Sequence, residues 1–114
     1  MVVSLDNRLS VVKISNMRAE RIIDDRIAIG ENAFIEMALW RIPNRLPGCA
    51  HDYKYRLAYI VGGVCVLRYD NERGKGDHRH FGGMESAIVF STVDQLLLDF
   101  KNDIRKWNDE NRHP

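Results

Sequence analysis

Between Glu20 and Tyr69 runs rich in apolar residues are punctuated by glycine and proline, and residues 33–42 follow the period of two of a strand whose successive side chains face opposite ways. Residues 20–29 and 33–42 flank Gly30-Glu31-Asn32, a short turn able to host positive φ, and so predict a first hairpin. In its second arm Ile35, Met37 and Leu39 share one face while Phe34, Glu36, Ala38 and Trp40 share the other, so both faces are expected to be partly covered. Pro43 and Pro47 stop the sheet, because proline cannot donate to a ladder, and a loop runs on to about Asp52. Residues 53–61 and 64–69 then meet at Gly62-Gly63, the signature of a tight hairpin. Beyond a polar segment and the short apolar run Ala87 to Phe90, the period becomes helical. Val93, Leu96, Leu97, Phe100, Ile104 and Trp107 form one stripe, with Ser91 or Thr92 placed to cap the helix and Asp94 or Gln95 to complete the capping box.

These elements predict an α+β fold: an antiparallel β-meander of four or five strands with a C-terminal amphipathic helix packed on one face. Residues 1–16 read as an N-terminal extension, in which Ser10 to Ile14 suits either an added strand or a mobile segment. Residues 17–107 read as one α+β domain and 108–114 as a polar tail expected to fray. The length, 114 residues, suits one hydrophobic core.

Composition narrows the class. Apolar residues make up 45% and charged residues 29%, the balance of a globular protein. No run approaches the roughly 18 consecutive apolar residues of a membrane span, and the N-terminus lacks a basic region followed by an apolar run, so a cytoplasmic protein with no membrane partner is expected. The two cysteines, Cys49 and Cys65, are too few for a disulfide framework, and Cys65, inside an apolar run, is expected to be a buried thiol. Net charge is +1, so any attraction for nucleic acid must be local. Trp40 and Trp107 read as core anchors, Glu20, Asp24 and Asp25 as solvent-facing charge, and His51 and His113 as a loop and a tail residue without an evident partner.

The densest chemistry lies in residues 69–83, where three acids, three bases and two histidines stand between glycines. A solvated hairpin loop would account for that composition. Two details point to a site instead. His78 and His80, if extended, project from one face with Cα atoms roughly 6–7 Å apart. Gly74 and Gly76 bracket Lys75, so backbone N–H groups can approach a phosphate while lysine supplies charge, although the spacing is not that of a P-loop. On the preceding strand Lys54 and Arg56 alternate with Tyr53, Tyr55 and Tyr59, which predicts a cationic face and an aromatic one. The tyrosines read as core packing, and the two cations suit a solvated face as well as a phosphate-binding one.

The stretches 53–59, 69–80 and 91–100, with the upstream strand ending Trp40-Arg41-Ile42-Pro43, resemble the TumE family of toxin–antitoxin components over about residues 17 to 105; the first 16 residues fall outside the resemblance. It implies a small toxin neutralised by a cognate DNA-binding helix-turn-helix antitoxin, and it brings no assigned catalytic residues. Residue chemistry supplies those. For RNA cleavage, His78 and His80 would share the base and acid roles, with Asp70, Glu72 or Asp77 orienting a histidine and Lys54, Arg56, Arg73, Lys75 and Arg79 holding phosphate. That scheme needs no cofactor. A second scheme makes Asp70, Glu72, Asp77, His78 and His80 ligands of a divalent metal in a nuclease or nucleotide-transfer site. A third leaves the segment as a protein-binding surface without catalysis. The oligomeric state is not legible.

Overall fold

The computed structural model describes residues 19–111. Six strands run in chain order across one antiparallel sheet: β1 (Glu20–Ile29), β2 (Ala33–Arg41), β3 (Tyr53–Val61), β4 (Val64–Glu72), β5 (Gly76–Phe81) and β6 (Met84–Ala87), followed by one helix, α1 (Val93–Asn111). The α+β meander is as predicted, with six strands where the sequence suggested four or five. The additional pair comes from the 69–83 segment, which is neither a loop nor one strand. Gly82 and Gly83 both have positive φ, 59° and 99°, and form a two-residue turn like that at Gly62-Gly63. They fold β6 back on β5, with Phe81 opposite Met84 and His80 opposite Glu85.

Register decides which side chains share a face. Leu39 pairs with Tyr55, Leu57 with Tyr69 and Tyr59 with Leu67. These six residues form the buried core together with Leu96 and Phe100 of α1, and the remaining stripe residues Val93, Leu97, Ile104 and Trp107 pack against it. Each fully buried side chain of this size stabilises by about 1.5–3 kcal/mol. Thr92 caps α1, its Oγ1 accepting from the Gln95 N–H at 3.0 Å. The core tyrosines reach past the apolar stripe to the helix's polar flank, Tyr69 Oη donating to Asp103 at 2.6 Å and Tyr59 Oη to Asn108 at 2.7 Å. The second of these bonds helps hold the last turns, so α1 continues to Asn111 through residues assigned above to a fraying tail.

Several expectations need correcting. Cys65 is exposed rather than buried, because it lies two residues beyond the Gly62-Gly63 turn, opposite Ile60, where the sheet register shifts. Trp40 and Trp107 are half-buried rather than fully buried anchors, and Trp107 meets Tyr59 edge-on at 5.9 Å. Glu20, Asp24 and Asp25 are exposed as expected. Ser10 to Ile14, read as either an added strand or a mobile segment, lie outside the described residues with the rest of residues 1–16 and His113.

Candidate functional site

Loop residues 42–52 return across the sheet end and dock on the β4–β5 turn. Ile42 N–H donates to the Asp52 carbonyl at 2.7 Å, and Gly74 N–H to the Pro47 carbonyl at 2.6 Å. The approach is close enough that a Cβ on Gly76, whose φ is 78°, would stand 3.0 Å from the Gly48 carbonyl oxygen. This docking and the alternation of β5 divide the polar segment into two clusters on opposite faces.

On the helix face lies a buried cluster around Asp77. Its Oδ2 is 2.8 Å from His51 Nε2 and accepts from Tyr55 Oη at 2.5 Å. His51 Nδ1 accepts the Tyr53 backbone N–H at 3.1 Å, so the proton of the neutral ring sits on Nε2 and is donated to Asp77. The His51 ring also stacks on Phe90, centroids 4.0 Å apart. Burial alone would raise the Asp77 carboxyl, but the hydrogen bonds from His51 and Tyr55 outweigh it and hold it below the usual range. Burial, and then Asp77, push Tyr55 and Cys49 upward. His51, unpartnered in the sequence reading, thus has the most buried partner of the described histidines; the missing signal was a loop contact across 26 residues.

Cys49, His51 and Asp77 present donor atoms within 4.8 Å of one another, a set whose chemistry suits zinc. The fit fails at His51. A metal on Nε2 would move the ring proton to Nδ1, where it would face the Tyr53 N–H rather than the acceptor that a metal-bound histidine requires. The cluster is a hydrogen-bonded latch between the loop and the start of β5.

Arg79 shares that face. Its Nε and Nη2 hold both oxygens of Asp103 on α1, at 2.5 and 3.1 Å. Burial would raise the Asp103 carboxyl, yet Arg79 and Tyr69 keep it low. A cleft of about 270 Å³ lined by Tyr69, Arg79, Phe90, Gln95 and Asn102 opens beside them, on the side away from His78 and His80.

On the opposite face the register sets Arg56, Asp70 and His78 in one row and Arg68, His80 and Glu85 in the next. His78 and His80 do project together. Their hydrogen bonds differ in kind. His78 Nε2 lies 2.7 Å from the Lys75 carbonyl, which can only accept, so Nε2 donates. His80 Nε2 lies 2.8 Å from Arg68 Nη2, which can only donate, so Nε2 accepts. Asp70 is buried, with Oδ2 3.1 Å from Arg68 Nε. The pair is close but poorly aligned: Arg68 Nε, Asp70 Oδ1 and His78 Nδ1 are buried without a hydrogen bond in proper geometry. Such orphaned polar atoms are rare in native proteins, and each calls for an explanation.

The structure therefore splits the predicted constellation. Asp77 and Arg79 leave it, because odd-numbered residues of β5 face the helix; Asp77 orients His51 rather than His78 or His80. The five-residue metal set Asp70, Glu72, Asp77, His78 and His80 cannot converge on one ion for the same reason. Lys54 is buried, its Nζ donating to the Asn71 carbonyl, and Arg56 pairs with Glu36 at 3.2 Å. Arg73 and Lys75 are exposed in the turn, and the Glu72 carbonyl accepts the Lys75 N–H at 3.1 Å. Two residues absent from the sequence reading join the site. Arg68 was legible, since it shares the parity of Asp70; Glu85 was hidden until Gly82-Gly83 was recognised as a hairpin turn.

Among known proteins, the family model described as Toxin TumE matches residues 5–108, beginning earlier than the resemblance over residues 17 to 105. No curated protein and no solved structure matches.

Proposed function

Because the chain belongs to the TumE toxin family, a family of toxin–antitoxin components, we propose that it is a toxin acting in the cytoplasm as a metal-independent ribonuclease, neutralised by a cognate helix-turn-helix antitoxin. The observation that carries this reading is the opposed hydrogen bonding of His78 and His80 on one face: one ring donates through Nε2, the other accepts.

His80 Nε2 holds a lone pair that Arg68 now occupies. A substrate 2′-hydroxyl taking the place of that guanidinium N–H gives up its proton there, and the 2′-oxygen attacks the adjacent phosphorus. His78, protonated at Nδ1, delivers a proton to the 5′-oxygen as the phosphorus–oxygen bond breaks, leaving a 2′,3′-cyclic phosphate and a 5′-hydroxyl. Lys75 and the displaced Arg68 hold the charge of the phosphorane, and Asp70 acts on His80 only through Arg68. Arg56 and Arg73 extend the basic surface; Lys54, tied to Asn71, supports the strand pair.

The test is incubation of purified protein with a short labelled RNA, with and without EDTA, beside His78→Ala and His80→Ala. Each variant should lose about 10²–10⁴ in rate, with cleavage by the wild type surviving EDTA. Neither change touches the Asp77 latch or the core, so both variants should stay folded, each losing only about 1 kcal/mol for one hydrogen bond. Undiminished cleavage by the two variants would refute the histidine roles. Loss in EDTA would refute metal independence.

A further inference from the structure

Glu85 Oε2 stands 3.2 Å from His78 Nδ1, 3.6 Å from His80 Nε2 and 3.9 Å from Lys75 Nζ. One anionic oxygen thus collects three groups capable of positive charge, from the turn before β5 and from both histidines. We infer that Glu85 occupies the position of a substrate phosphate oxygen, so that this face is an anion-binding site holding a stand-in from its own chain, and a phosphodiester binds by displacing it. The identity of the ligand rests on the ribonuclease reading; the site itself rests on the geometry.

Three further observations support the displacement. Glu85 is carried by a four-residue edge strand exposed along its whole length. Its side chain is 43% exposed, so it can turn into solvent without opening the core. His78 Nδ1, although 3.2 Å from the carboxylate, is buried without an aligned hydrogen bond. A carboxylate on a short edge strand reaches this array imperfectly. A phosphate brings more acceptor oxygens in a tetrahedral arrangement and can accept from His78 Nδ1 and Lys75 Nζ at once, with Arg68 beside them. With Glu85 in place, the array is partly neutralised and repels a second anion.

The experiment measures binding without turnover. A labelled single-stranded oligodeoxynucleotide offers phosphodiesters but no 2′-hydroxyl, so it can occupy the site and cannot be cleaved by the proposed route. Its affinity is read by anisotropy for the wild type, Glu85→Gln and Glu31→Gln; the last makes the same charge change in the β1–β2 turn. Glu85→Gln should bind roughly three- to tenfold tighter than wild type. Glu31→Gln should match the wild type, and adding His78→Ala to Glu85→Gln should cancel the gain. Equal affinity for wild type and Glu85→Gln, an equal gain in Glu31→Gln, or weaker binding by Glu85→Gln would each overturn the inference. Tighter binding by Glu85→Gln from a protein that cleaves no RNA would uphold the anion site while refuting the ribonuclease reading.

Discussion

Replacing Tyr55 by phenylalanine removes a single oxygen from the buried latch and leaves the ring in its place. That oxygen donates to Asp77 at 2.5 Å, and Asp77 keeps His51 as its other donor. A hydrogen bond to a charged acceptor contributes about 1.5–3 kcal/mol net, so Tyr55→Phe should lower the unfolding free energy by about 2 kcal/mol. For a domain of this size, that corresponds to a melting temperature lower by roughly 10 °C. Asp77→Asn should cost somewhat more, about 2–3 kcal/mol, because the amide oxygen in the place of Oδ2 still accepts from both donors but both bonds lose the charge that strengthens them. The double variant should cost clearly less than the sum of the two, since without the charge the hydroxyl's bond contributes less. Acid provides a second readout. The Asp77 carboxyl is held below its unfolded value, so its contribution is complete above about pH 5 and is lost as pH falls through the depressed folded value. The gap between wild type and Asp77→Asn should therefore narrow in acid. Urea titrations of the four proteins at pH 7 and pH 3 provide all these quantities. Additive costs, or a gap that does not change with pH, would refute the latch.

Gly76→Ala should cost about 2 kcal/mol or more in urea titrations, and Gly74→Ala only about 1, because both need positive φ but only Gly76 has a backbone oxygen where its Cβ would go; equal costs would show that the loop contact at Gly48 is not what demands glycine. Asp103→Asn should cost about 2 kcal/mol at pH 7 by breaking the paired grip of Arg79 and the acceptor of Tyr69. The Asp103 carboxyl also sits below its usual range, so in thermal melts this penalty should shrink as pH falls through its depressed value.

The alternation of Tyr53 to Val61, the Gly62-Gly63 pair and the apolar stripe of α1 are local signals, repeated at the period of the element they build, and they were sufficient for the α+β meander, its first two hairpins and the helix cap. The same period placed His78 beside His80, because two residues apart on a strand is one face whatever the sheet does. The sequence by itself could not say which other residues join that face. That depends on register, and register set Arg68 against His80 and Glu85 beyond it through a turn whose glycines read as loop punctuation. The same alternation sends Asp77 and Arg79 to the other face, but it could not say that His51 and Asp103 meet them there. Short-range order along the chain determined the elements; which charges meet was decided by strand pairing and loop docking, because contacts between residues far apart in sequence leave no period to read.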